Sequence, residues 1–171
     1  MKKIRLLLLM ITMFVTVNVK AFGLTIEKEN SYGRLYDSMP TETQKGDIIS
    51  IGVYLEDFQQ NYENTTVHSL IERIYWDNSV FEIVENNDHF YSDVSEKVGS
   101  IYYDLGRRGS INYIIYLKDN VQINEKEKLF TIKFKVKNNS LDGIYEIYQE
   151  NSYAEATENN SYTQLYVEPN D

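Results

Sequence analysis

The sequence predicts an all-β fold: an antiparallel β-sandwich with jelly-roll topology and about nine strands, following an N-terminal signal peptide. Short segments alternate apolar and polar residues with a period of two, as strands with one buried face do. Polar, asparagine-rich stretches with turn-forming residues separate these segments. No alternation of strand and helix patterns supports a parallel sheet, so the sandwich is the favoured architecture.

The N-terminus has the order of a secretory signal peptide. Basic residues within 2–5 precede an apolar run over 6–17, and small residues follow at Ala21 and Gly23. The run is shorter than the roughly 20 apolar residues that span a bilayer, which favours a cleaved signal over an uncleaved anchor. Cleavage after Ala21 and cleavage after Gly23 both fit the pattern.

We therefore expect a signal peptide over residues 1–23 and a single domain over 24–171, located outside the cell or in the cell envelope. The signal holds four of the 17 basic residues and none of the 26 acidic ones, so its removal changes the net charge from −9 to −13. Such a surface repels phosphate groups, and we expect neither nucleic-acid nor membrane binding. The absence of cysteine excludes disulfides and thiolate metal sites.

The clearest predicted strands are 48–55 and 129–136, in which apolar residues recur at every second position. Segment 111–117 is apolar on both faces, as expected for a strand in the middle of a sheet. One short stretch, 92–97, has the composition of a helical turn. The remaining predicted strands are 24–27, 67–76, 80–84, 100–103, 144–148 and 162–167.

Three segments follow one another in a characteristic order. The first is the turn Lys45-Gly46-Asp47 with the strand to Leu55. The second, 74–84, has a tyrosine and an aspartate in a turn that leads into a strand with a glutamate. The third, 114–119, leads to the strand 129–136. In this order, the segments resemble the cohesin domain and its cohesin-like relatives in the carbohydrate-binding β-sandwich superfamily.

The resemblance implies a jelly roll of about nine strands and a binding function. In cohesins one sheet face docks a small calcium-loaded dockerin module, and related domains bind polysaccharide. The best-known cohesins meet the dockerin through an Asn-x-Asp on the strand before the turn. Counting back from Asp77, Ser69 and Ile71 occupy those positions here. Both differ in residue type from the family pattern, as does Asn78, which replaces a common proline.

Tyrosine side chains provide further candidate contacts, since the chain has 15 of them. In the last predicted strand, Tyr162 and Tyr166 share one face and Leu165 lies on the other. Tyr75, near the end of an earlier strand, is a similar candidate. Such side chains either stack on sugar rings, anchor protein partners or cover the edge of the sandwich.

No set of catalytic groups can be assembled from the sequence. His68 and His89 have no partner at the spacing that metal binding or general base catalysis requires. No pair of carboxylates stands out for glycoside hydrolysis. The basic cluster 106–109 predicts a tight turn between strands. We expect no cofactor, although oxygens near Asp88 and Asp93 leave a structural calcium ion open.

The sequence therefore predicts a secreted, non-catalytic, cohesin-like binding module whose partner is a dockerin-like or other surface protein. The alternative is a polysaccharide-binding module that uses exposed tyrosines. An enzyme is not expected.

Overall fold

The computed structural model describes residues 23–29, 43–62, 64–149 and 152–166. The predicted signal peptide, except for its last residue, lies outside this part of the chain. All regular secondary structure in the described residues is β-strand. Among them there is no helix with the length and hydropathy needed to cross a bilayer.

Thirteen strands are present in these residues, several of them only two or three residues long. In chain order they are β1 (Gly23–Glu29), β2 (Ile48–Glu56), β3 (Phe58–Gln59), β4 (Asn61–Tyr62), β5 (Thr65–Trp76), β6 (Phe81–Ile83), β7 (Val98–Gly106), β8 (Ser110–Leu117), β9 (Gln122–Ile123), β10 (Glu127–Val136), β11 (Ile147–Gln149), β12 (Tyr153–Glu158) and β13 (Ser161–Tyr166).

The strands form two main sheets in which every pair is antiparallel. The smaller sheet has the order β1-β2-β10-β6. The larger sheet has the order β13-β12-β5-β8-β7, with β4 and β11 also paired to β5. The short strands β3 and β9 pair with each other. The predicted antiparallel sandwich is confirmed, and β8, apolar on both faces, lies inside the larger sheet as expected.

Aromatic contacts join the two sheets across the core. Trp76 at the end of β5 meets Phe134 of β10 edge to face, with ring centroids 5.1 Å apart. Tyr113 of β8 lies against Phe130 of β10, with centroids 5.0 Å apart. Each such pair contributes about 0.5–1.5 kcal/mol beyond the burial of its apolar area. The alternation seen in β5, β8 and β10 thus places large rings between the sheets.

Two turns at one end of the sandwich are fixed by local hydrogen bonds. The backbone N–H of Ser79 donates to Asp77 Oδ1 over 2.8 Å, as in an Asx-turn. Gly109, in the turn between β7 and β8, has a positive φ of 76°, and its carbonyl accepts from the Trp76 N–H over 2.8 Å. A Cβ at Gly109 would lie 2.3 Å from the Trp76 carbonyl oxygen, so this position requires glycine. Both turns were predicted from the sequence.

The predicted helical turn over 92–97 is wrong. This segment runs beside β10, where Ser92 and Thr131 exchange two backbone hydrogen bonds of 2.8 Å each. The Ser95 N–H also donates to the Leu129 carbonyl over 2.7 Å. Backbone groups that a helical turn would pair locally are therefore paired with the sheet.

Strand β12 is present although the sequence pattern did not predict it. It lies between β5 and β13 and turns Ala154 and Ala156 toward the core, where both are fully buried. Alanine and glutamate are depleted in strands, so local propensity gave no signal. Pairing on both sides determines the conformation of this segment instead.

Candidate functional site

The outward face of the larger sheet carries a row of apolar side chains that crosses four strands. Ile71 of β5 lies directly opposite Tyr153 of β12 on one side and Ile114 of β8 on the other. Ile114 in turn lies opposite Tyr102 of β7. Neighbouring strands are about 4.8 Å apart, so the row is about 14 Å long. Its position on the outward face follows from alternation, because Leu70 next to Ile71 is buried in the core.

Two tyrosines form the most exposed part of this face on β7 and β8. The side chain of Tyr102 is 62% exposed and that of Tyr116 is 38% exposed. Their ring centroids are 5.9 Å apart and their planes are nearly perpendicular. Such an edge-to-face pair is favourable and holds each ring in place. The two rings therefore offer a rigid aromatic contact to a ligand.

Tyr162 of β13 extends the exposed aromatic surface to the other edge of the sheet. It is 64% exposed, and its hydroxyl is hydrogen-bonded to Glu155 of β12. That hydrogen bond raises the pKa of Tyr162 to about 12, since ionisation would break it and place two negative charges together. Glu155 also accepts from the Ser69 hydroxyl over 2.9 Å. Ser69, Glu155 and Tyr162 thus form a hydrogen-bonded chain across three neighbouring strands.

A cation stabilises the middle of the same face. The Arg73 guanidinium lies 5.4 Å from the centre of the Tyr153 ring, within the range of a cation–π contact. One of its N–H groups also donates to the Tyr153 hydroxyl oxygen over 3.2 Å. We call the outward surface centred on Tyr102, Tyr116, Tyr153 and Tyr162 the tyrosine face.

The predicted contact residues occupy different positions on this face. Tyr162 lies in its exposed part. Tyr75 lies toward the other end of β5, where its ring stacks on that of Tyr148 with centroids 5.5 Å apart. The backbone of Tyr166 pairs with Tyr153, and its side chain lies outside the described part of the structure. The prediction of ligand contacts at these tyrosines stays a prediction.

Ser69 and Ile71, the positions that the family resemblance indicates as ligand contacts, are nearly buried, and their contact with a ligand stays a prediction. Ser69 is 2% exposed and Ile71 is 6% exposed, although both belong to the outward face. Neighbouring strands crowd them, and Ser69 is engaged with Glu155. In the free domain both side chains expose little surface to a ligand.

Sequence reasoning missed Tyr102 and Tyr116 as site residues. The available signal was the second apolar face of β8, where Ile114 and Tyr116 alternate with the core residues Tyr113 and Ile115. An apolar outward face on a central strand indicates either a second layer or a binding surface.

The described residues contain no side-chain cluster of the kind that holds a metal ion. Among them, no three histidine, aspartate or glutamate side chains converge on a point that could hold an ion. Asp88 and Asp93, considered above for calcium, lie in the connection between β6 and β7 and both have left-handed backbone angles.

Comparison with known proteins identifies a family. The family model of the cohesin domain matches residues 39–167. No curated protein is significantly similar in sequence. Several solved cohesin structures are similar in fold.

Three of these structures illustrate the similarity. The sixth cohesin of scaffoldin B from Acetivibrio cellulolyticus, solved with a Cel5 dockerin, is 12% identical with a TM-score of 0.56, over 88% of this chain and 94% of that one. The cohesin module of a family 33 glycoside hydrolase from Clostridium perfringens is 12% identical with a TM-score of 0.56, over 88% and 97%. A non-cellulosomal cohesin from Archaeoglobus fulgidus is 14% identical with a TM-score of 0.52, over 87% and 84%. At such low identity the similarity shows the fold.

Proposed function

The chain belongs to the cohesin family, and from that premise we propose that it is an exported, non-catalytic binding module that holds a dockerin-type protein partner on its tyrosine face. The family is one of protein-binding domains, which supports a protein partner. One observation carries the proposal: Tyr102, Tyr116 and Tyr162 are exposed on one face of a sheet.

The physical character of the face supports docking. Large amphipathic rings that are already fixed in the free domain lose little conformational entropy when a partner covers them. Tyrosine is enriched among residues that dominate binding energy, because it combines apolar area with a polar hydroxyl. The edge-to-face pair of Tyr102 and Tyr116 and the Glu155–Tyr162 hydrogen bond both provide this fixation.

The geometry favours a protein over a polysaccharide as the ligand. Sugar rings stack on the faces of aromatic rings, and a chain of sugars lying on a sheet requires several rings that are parallel to that sheet. The planes of Tyr102 and Tyr116 differ by 87°. At most one of the two rings can therefore lie flat against a sugar chain, whereas an irregular protein surface can fit both.

Export of the protein remains part of the proposal. The basic residues, apolar run and small residues at the N-terminus support it. Strand β1 begins at Gly23, immediately beside the two predicted cleavage points, and pairs with β2 along its whole length. Cleavage at either point would leave residues 24–29 available to complete the smaller sheet. Location outside the cell or in the cell envelope follows from export.

The direct test is binding of the purified domain to dockerin modules encoded in the same genome. Isothermal titration calorimetry in calcium and in a calcium chelator should show saturable 1:1 binding of at least one module in calcium. Affinity electrophoresis on a panel of glycans provides the competing arm. Retardation by a glycan, with no binding of any dockerin module in either buffer, would show that the ligand is a polysaccharide and not a dockerin-type protein.

A further inference from the structure

Glu72 of β5 is a charged residue type in the core of the sandwich. Its side chain is completely buried, and the carboxyl group has a single hydrogen-bond partner in the described structure. That partner is the Ser152 hydroxyl, 2.5 Å from Glu72 Oε2. The second carboxyl oxygen, Oε1, has no hydrogen-bond partner among the described residues. A buried carboxylate with one donor is costly, so this geometry favours the neutral, protonated form.

Among the residues that the structure describes, no positive charge lowers the pKa of Glu72. Directly opposite on β8 lies Tyr113, whose hydroxyl donates to the Phe90 carbonyl over 2.7 Å. Burial raises the pKa of Tyr113 well above its ordinary value, so it stays neutral at physiological pH. The buried side chains of the facing strands β2 and β10 are apolar apart from Thr131. On β12, the ionisable Glu155 belongs to the outward face.

Ser152 stands immediately before β12, so its bond to Glu72 ties the start of this strand to β5. The bond matters because β12 is weakly held by apolar contacts. Its core-facing residues are Ala154 and Ala156, which bury far less area than the isoleucines of β8. The pairing of β12 with β5 is also interrupted by a bulge at Glu155 and Ala156. Segments with little buried apolar area open locally before the whole domain unfolds.

We propose that buried Glu72 is a proton-dependent latch: the β12–β13 hairpin closes on β5 while Glu72 is protonated, and ionisation of Glu72, whose charge has no solvation in the closed core, opens it. The hairpin carries Tyr153, Glu155 and Tyr162 of the tyrosine face. The latch therefore controls whether the docking surface is assembled. Only this last consequence rests on the proposed function; the proton dependence of the hairpin does not.

The direction of the effect follows from the pKa. Burial raises the pKa of Glu72 from 4.5 to about 8, and the Ser152 hydrogen bond offsets this rise only in part. In the open hairpin Glu72 regains its ordinary pKa, so opening releases a proton between pH 4.5 and about 8. The closed hairpin is fully stabilised below pH 4.5, and this stabilisation is lost as the pH rises to about 8. Within the window, one pH unit increases the opening equilibrium about tenfold.

Amide hydrogen exchange of the full exported chain tests the latch without any partner. Exchange at Ala154 and Ala156 is compared between pH 5 and pH 7 in the unaltered protein and in Glu72→Gln, which cannot ionise. The intrinsic effect of pH on exchange cancels in this comparison. Between pH 5 and pH 7, we expect exchange at these two residues to accelerate about 100-fold more in the unaltered protein than in Glu72→Gln. Glu158→Gln, which removes an exposed carboxylate of the same hairpin, should behave like the unaltered protein.

Two results would overturn the proposal. One is the same pH response of Ala154 and Ala156 in the unaltered protein and in Glu72→Gln. The other is exchange at these residues no faster than at Ile111 and Ile115 of β8, because the hairpin would then open only with the whole domain.

If Glu72→Gln does not fold, the ionisation of Glu72 can still be measured in the unaltered protein. The carbon-13 resonance of the Glu72 carboxyl group reports its own titration. A midpoint near pH 8 supports the latch, and a midpoint at the ordinary value for glutamate excludes it. Because neither experiment contains a dockerin module, a failure of the proposed partner would leave both results unaffected.

Discussion

The ring of Tyr102 stands almost perpendicular to the ring of Tyr116, at an interplanar angle of 87° and a centroid distance of 5.9 Å. The two side chains come from neighbouring strands, β7 and β8, and each limits the rotation of the other. The pair thus presents one ring edge and one ring face on a surface that is otherwise a regular sheet. A ligand that fits this pair must be irregular in shape, which is the main reason to expect a protein.

Replacement of either ring should weaken partner binding with little effect on folding. For Tyr102→Ala and Tyr116→Ala we expect a loss of about 1–2 kcal/mol each, corresponding to about 5- to 30-fold in Kd. Calorimetric titration with the dockerin module that binds the unaltered domain measures this loss. Ile48→Ala serves as the control, because Ile48 is an exposed apolar residue on the smaller sheet. A larger loss of affinity in Ile48→Ala would indicate that the partner docks on the smaller sheet instead.

The Glu155–Tyr162 hydrogen bond should be visible in the titration of the phenol. In Glu155→Gln we expect the pKa of Tyr162 to fall from about 12 toward 10, because the charge and the strongest acceptor are both removed. NMR of ring-labelled tyrosine across alkaline pH resolves the individual side chain. Glu158→Gln, in the same strand, should leave the value unchanged. An unaltered titration in Glu155→Gln would mean that the hydrogen bond is absent in solution.

Gly109 should not tolerate a side chain. Gly109→Ala forces an L-residue into a left-handed conformation, which costs about 1–2 kcal/mol, and the added Cβ collides with the Trp76 carbonyl oxygen. We expect a lower midpoint of urea unfolding. Gly99→Ala is the matched control, since a Cβ there would lie 3.4 Å from the Tyr116 carbonyl oxygen and requires no unusual backbone angle. Equal stability of the two variants would contradict the turn geometry.

Truncation of Phe134 should create a cavity between the sheets. Phe134→Ala removes the ring that packs on Trp76, and we expect a loss of about 3–5 kcal/mol in the free energy of unfolding. Ile48→Ala, on the exposed face, should change this free energy by about 0.5 kcal/mol or less. Chemical denaturation, analysed with a common m-value, gives the change in the free energy of unfolding for each variant. Similar losses of stability in the two variants would be inconsistent with a core position for Phe134.

Export should leave a defined N-terminus. Intact mass measurement of the protein from culture medium should give a chain that starts at Phe22 or at Leu24, according to whether cleavage follows Ala21 or Gly23. Retention of residues 1–20 in the mature protein would disprove the predicted signal peptide.

The sequence was sufficient for the parts of the fold in which local pattern and environment agree. Strand β10 alternates cleanly, and its apolar residues Phe130, Ile132 and Phe134 are all in the core. Strand β8 is apolar on both faces and lies inside a sheet, as predicted. In both cases the core-facing positions are apolar, so the period of two identifies the buried face.

The parts that escaped prediction depend on contacts distant in sequence. β12 has a composition that disfavours strands, and it is a strand because β5 and β13 pair with it. Ser69 and Ile71 were identified by counting back from Asp77, yet nothing in the sequence showed that neighbouring strands cover them. Tyr102 became a site residue only through the register that sets it opposite Ile114. Register between strands is not encoded in any one of them.

The contact between Trp76 and Phe134 has a practical consequence. Trp76 is the single tryptophan of the chain, and it is buried where the two sheets meet. The domain therefore contains one intrinsic fluorophore at the sheet–sheet boundary. Its emission should shift to longer wavelength when the sheets separate and water reaches the indole ring. Folding, ligand-linked stabilisation and the effect of each variant can be followed through this signal without a label.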